Sequence, residues 1–214
     1  MSIFSKLFGS SQERRIKRFF TETQERVNRE YEPLGKVALA IGRAASNNRD
    51  AVKNLLLAST EKERMHQEIL VFFEFVYFYM HLAMRSAFVQ LTEPQLKKLQ
   101  GYIGPVMSAV AVDSYFAHWP NDLKEKMVSE FYDKLNSAEL EYSECTKTAS
   151  IGQARPTLAE KLQALFMKLG SNISMLSGHD EDDLAVILPV SDVALQEWKR
   201  MRLDDLIADV KSVG

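Results

Sequence analysis

An all-α fold is what the sequence predicts, from recurrent helix-start signals, from the lack of sustained strand alternation, and from one long segment that is apolar around most of a helix. Ser10 with Glu13, Thr60 with Glu63, Thr92 with Gln95 and Thr157 with Glu160 stand at the capping-box spacing, in which hydroxyl and N3 side chain satisfy free backbone N–H groups reciprocally. No stretch alternates apolar and polar residues between Asn-Gly or Asp-Gly turns, so a sheet has little to be built from. After Thr60 the chain places Phe72, Phe73, Phe75, Val76, Tyr77, Tyr79, Met80, Leu82 and Met84 around most of a helix circumference, whereas a surface helix needs only one apolar stripe. The expectation is a compact bundle of about seven to nine helices around a central hydrophobic helix at about residues 60–91.

The elements follow in order. Ile3, Phe4, Leu7 and Phe8 make a small apolar face, so residues 1–9 are expected to form an N-terminal apolar arm ahead of a single all-α domain at 10–214. An amphipathic helix is expected from about Ser11 to Glu32, breaking near Pro33 and Gly35, then short helices at Lys36–Ala45 and Asp50–Ala58. Past Thr92 the Gly104-Pro105 pair signals either a kink or a new first turn, because proline removes one helical N–H and crowds the carbonyl four residues back. A helix from Asn121 toward Thr148 is expected to divide near Asn136, with SIGQARP as a loop after it. Thr157–Leu176 is the next helix, ended by Gly178. A short helix at Asp180–Leu188 and a final one capped by Ser191 or Asp192 complete the chain.

A net charge of −2 over 214 residues creates no global field for nucleic acid or anionic lipid. The basic run Arg14, Arg15, Lys17 and Arg18 is followed by Glu22, Glu25 and Glu30, which reads as a solvated helix face. Cys145 is the only cysteine; no intramolecular disulfide forms, and a reducing, cytoplasmic setting is expected. The run Ile69–Leu91 is long enough to invite a membrane reading. It holds Glu74, His81 and Arg85, each charged group costing about 2.5–3.5 kcal/mol at a membrane helix centre, so no membrane span is expected.

Glu74, His81 and Arg85 are the only ionisable residues besides tyrosine in that run, and they fall within roughly 40° of one another around a helix axis. One reading makes them a seam facing water. The other makes them a polar cluster inside the bundle, joined by Asp113, which lies among apolar neighbours and needs a bonded or charged partner. Arg85 and His81 are the expected partners, because consecutive helices joined by a short turn pack antiparallel. Glu74, Tyr77, His81, Arg85 and Asp113 are thus the candidate ligand-contacting residues, beside an apolar wall of Phe75, Tyr79 and Met80.

No catalytic residues and no metal ligands are assigned. A carboxylate-bridged metal bundle requires two Glu-x-x-His pairs, and only Glu63–His66 matches, with Glu63 committed to a cap. The acidic run Asp180–Asp183 lacks calcium-loop spacing and suits a helix start. Phosphate-binding glycine loops and a serine nucleophile elbow are missing as well. The functional expectation is an intracellular helical interaction or regulatory protein without catalytic activity, binding a protein partner or a second copy of itself, with the N-terminal arm as a further contact for a partner or membrane surface. The alternatives are a small-ligand or cofactor-binding bundle at Glu74, His81, Arg85 and Asp113, and a motif-poor metalloenzyme or hydrolase; no cofactor is specified.

Overall fold

The computed structural model describes residues 32–148 and 157–212, and among these the chain is helical with no strand. The helices are α1 (Glu32–Val52), α2 (Glu61–Gln90), α3 (Glu93–Phe116), α4 (Asn121–Thr148), α5 (Leu158–Leu176), α6 (Leu184–Met201) and α7 (Leu203–Ser212), with a 3-10 turn at Lys53–Leu55. The expected arm at 1–9, the Ser10–Glu13 box, the helix beginning near Ser11, the basic run and the loop at 150–156 lie outside the described residues.

Three capping motifs sit where the sequence places them. Thr60 Oγ1 accepts from the Glu63 N–H at 3.2 Å while Glu63 Oε2 accepts from the Thr60 N–H at 3.1 Å. Thr157 and Glu160 repeat the exchange at 3.3 and 2.7 Å. At Thr92 the Gln95 side chain accepts both the backbone N–H and the hydroxyl, at 3.1 and 2.9 Å. These contacts fix the starts of α2, α5 and α3 by satisfying donors that no helical carbonyl reaches.

Other boundaries differ from expectation. Residues 32–52 form one helix, followed by a 3-10 turn at 53–55, rather than two short helices at 36–45 and 50–58, and Pro33 lies inside the first turn of α1, where its missing N–H costs nothing. α4 runs undivided through Asn136. Pro105 lies within a continuous α3, so the helix passes the Gly104-Pro105 pair without breaking. The last segment is not capped at Ser191 or Asp192. Asp183 caps α6 by accepting from the Ala185 N–H at 3.0 Å, while the Ser191 hydroxyl donates to the Phe166 carbonyl of α5 at 2.8 Å. The break falls at Arg202, whose φ of 48° and ψ of 47° turn the chain into α7.

α2 passes the length and apolarity test for a membrane span, yet most of that window is buried against the protein itself. α1, α3, α4, α5 and α7 all pack on it. Aromatic edges carry much of that packing: Phe72 meets Tyr115 of α3 at 5.5 Å, Tyr77 meets Phe131 of α4 at 5.2 Å, and Phe78 meets Tyr142 of α4 and Phe166 of α5 at 5.3 and 5.1 Å. Such tilted and edge-on pairs place positive ring edges on negative faces. Phe166 also meets Trp198, extending the layer to α6.

Two glycines are needed by geometry. Gly178 takes φ +88° where the chain leaves α5, with Leu57 and Gln67 packed beside it. Gly170 lets α5 approach α6 so closely that an added Cβ would stand 2.8 Å from the Ile187 carbonyl oxygen and 3.0 Å from its Cα. The obstruction is backbone, which has little room to yield. Gly170→Ala is therefore expected to destabilise the fold by about 1–3 kcal/mol, read as a lower melting temperature. Gly101→Ala, on an exposed turn of α3 with nothing within 4 Å of the new methyl, should raise stability by about 0.5–1 kcal/mol.

Candidate functional site

Three helices meet at Glu74. An acidic side chain set among Phe72, Phe73, Phe75 and Val76 has to find donors on the neighbours that cover α2, because an unbonded charge in such surroundings is costly. α4 supplies Tyr142, whose hydroxyl donates to Glu74 Oε1 at 2.5 Å. α5 supplies Asn172, whose amide donates to the same oxygen at 2.9 Å and to Glu141 Oε2 at 3.3 Å. Lys168, one turn earlier on α5, pairs with Glu141 Oε1 at 2.8 Å and reaches Glu181 at 3.7 Å.

Electrostatics follow from that enclosure. Desolvation pushes the Glu74 carboxyl above the ordinary carboxylate range; the bonds from Tyr142 and Asn172 oppose the shift, and the charge of Glu141 adds to it. Burial, then the adjacent Glu74 charge, holds the Tyr142 phenol far above its usual value, so it remains a donor. Burial acts to lower Lys168, but its bond and attraction to Glu141 outweigh that and raise it. Cys145 is raised, first by burial and then by Glu141 and Glu144 against Lys168, an environment that disfavours a nucleophilic thiolate.

His81 lies two turns beyond Glu74, about 10 Å along the axis, and is 3% exposed. Its Nδ1 bonds Glu139 Oε2 at 2.7 Å, and its ring lies 5.5 Å from that of Tyr142. Tyr77 points to another flank: its buried ring packs on Phe73 and Phe131, and burial with the Glu74 charge raises its phenol. Arg85 is exposed near the end of α2. The stripe thus starts in water at Glu63, passes through half-buried Glu74 and buried His81, and returns to water at Arg85.

Asp113 does not join it. The Asp113 carboxylate pairs with Lys124 of α4 at 3.3 Å and its side chain is 43% exposed. The reason is register: Tyr115 packs on Phe72 and Phe73, while His81 and Arg85 lie about 12 and 18 Å further along the axis. Antiparallel pairing sets Asp113 beside this middle stretch of α2, short of His81 and Arg85. The expected Asp113 contact with Arg85 or His81 is replaced by an Asp113–Lys124 pair and a His81–Glu139 pair.

Sequence reasoning also missed Tyr142, Asn172, Glu141 and Lys168. Asn172 lies among Leu169, Ile173 and Leu176 but also beside Ser171 and Ser174, so it did not stand out as a lone polar group, while Tyr142 looked like any aromatic core residue. A second buried node was missed too: the Tyr79 hydroxyl accepts from Asn48 at 2.5 Å and donates to the Ala194 carbonyl at 3.1 Å. It ties α1 and α6 to α2.

Among the described residues no group of three or more His, Cys, Asp or Glu side chains is placed to hold a metal ion. A cleft of about 260 Å³ opens at the α6–α7 corner, lined by Trp198, Lys199, Arg202, Leu203, Asp204 and Asp205; Asp204 there accepts from Ser86 at 2.5 Å and Asp205 pairs with Arg202 at 2.6 Å. The chain matches no family model, and neither a curated protein nor a solved structure is significantly similar to it.

Asn172→Ala removes a donor that serves two carboxylates at once. The expected cost is about 1–3 kcal/mol, seen in urea unfolding as a lower midpoint with an unchanged slope.

Proposed function

We propose that the chain is an intracellular helical interaction or regulatory protein without catalytic activity, in which residues 10–214 form a single all-α domain of about seven to nine helices around α2. The observation that carries this reading is the contrast along α2 itself. Its interior side chains Glu74 and His81 each bond to neighbouring helices, Glu74 to α4 and α5 and His81 to α4, whereas Phe88 and Val89 near its end stand 76% and 84% exposed. Two adjacent large apolar side chains in water favour burial against something else. A protein partner or a second copy of the chain supplies that cover, with the N-terminal arm at 1–9 as an additional contact for a partner or membrane surface.

A second reading, a small polar ligand near Glu74 and His81, is favoured by Asn172 Oδ1 and His81 Nε2, which are buried with no hydrogen-bond partner among the described residues. Native mass spectrometry of the protein purified from its own cells separates the two. The first reading expects an assembly that Phe88→Ser with Val89→Ser weakens at least tenfold in dissociation constant, about 1.4 kcal/mol, while the melting temperature holds. A stoichiometric small molecule or metal retained by the monomer, with the double variant assembling normally, overturns it.

A further inference from the structure

We propose that Glu74, tied to Glu141 through the Asn172 amide, forms a proton-binding latch that fastens α4 and α5 to α2 while Glu74 carries a proton and loosens them when it is lost. This goes beyond the interaction reading and does not rest on it. One amide nitrogen donating to both carboxyl groups, at 2.9 and 3.3 Å, keeps the two acids within about 6 Å of each other, a separation at which the Glu141 charge disfavours ionisation of Glu74. Lys168 is the cation facing them, and it is shared with Glu181. With every acid ionised, three carboxylates therefore compete for one ammonium.

The hydrogen-bond inventory points the same way. Asn172 is 7% exposed, and its Oδ1 is a buried acceptor with no partner among the described residues. A protonated Glu74 brings one O–H donor to the same amide that already donates to it. The proton supplies what this acceptor lacks.

The groups around the latch are Tyr77 and His81 on α2, Glu139, Tyr142, Glu144 and Cys145 on α4, Lys168 on α5 and Glu181 beyond it. Tyr142 keeps its proton because burial and the Glu74 charge both oppose its loss, so Glu74 is the part that changes state. The sign follows from linkage. Glu74 binds its proton more tightly folded than unfolded, so the latch is closed below the ordinary carboxyl range and weakens as pH rises through the raised folded value.

Hydrogen exchange of residues 158–176 in the full-length chain, corrected for intrinsic exchange and followed across pH, tests this. In wild type the opening constant should climb with pH, by no more than about tenfold per unit for one proton. Glu74→Gln should abolish the climb. Tyr142→Phe removes a bond that favours the ionised form and should move the climb to higher pH, whereas Glu141→Gln removes a repelling charge and should move it to lower pH. If Glu74→Gln does not fold, the opposed displacements of the other two variants decide alone. Equal pH profiles in wild type and Glu74→Gln, or a shift of the same sign in Tyr142→Phe and Glu141→Gln, would falsify the latch.

Discussion

A helix that is apolar on nearly every side and still carries a carboxylate at its middle imposes two demands on its neighbours. They must remove its aromatic surface from water, and they must bring hydrogen-bond donors to one buried point. α4 and α5 answer both with the same residues or their near neighbours: the Tyr142 ring packs on Phe78 while its hydroxyl bonds Glu74, and Asn172 follows Phe166 on α5, which packs on Phe78. The apolar demand is met by many interchangeable contacts, each undirected. The polar demand has few solutions, because a donor must arrive at about 3 Å along a lone-pair direction. Glu74 therefore selects among the packings that hydrophobic burial alone would accept.

The part of the fold legible in the sequence was local in physical origin. Thr60, Thr92 and Thr157 announce helix starts because a cap is made within four residues, so the pattern and its cause lie in the same stretch of chain. Gly178 is legible for the same reason, since a left-handed residue at a helix end is a backbone matter. Where expectation failed, a partner far along the chain was decisive. Ser191 has the chemistry of a cap, but its hydroxyl serves the Phe166 carbonyl of α5, and Asp183 takes the capping role eight residues earlier. Nothing near Ser191 in the sequence records that.

The candidate site divides along the same line. Glu74 and His81 could be read as one stripe because helical spacing is periodic, and both prove to be bonded inside the bundle. Tyr77 shares the segment but not the direction, facing Phe131 instead. Asp113 was assigned to the wrong partner because the sequence indicates antiparallel neighbours without fixing how far each slides along the other. Tyr115 sets that slide by packing on Phe72 and Phe73, and it leaves Asp113 beside Lys124. Tyr142, Glu141 and Lys168 come from helices whose pairing with α2 no single-sequence pattern reveals.

The polar contacts in this bundle do little for net stability in the way the aromatic layer does. Bringing Glu74 out of water costs free energy that Tyr142 and Asn172 offset only in part, as its raised proton affinity records, and a buried charged group is weak grounds for expecting stabilisation. What such groups contribute is discrimination. Slide α5 by one turn and the amide of Asn172 leaves both carboxylates, a buried acid loses a donor, and Gly170 no longer stands opposite the Ile187 carbonyl that allows no side chain there. Two unlike constraints, one of charge and one of volume, thus fix the same register, and α5 is the helix on which they coincide.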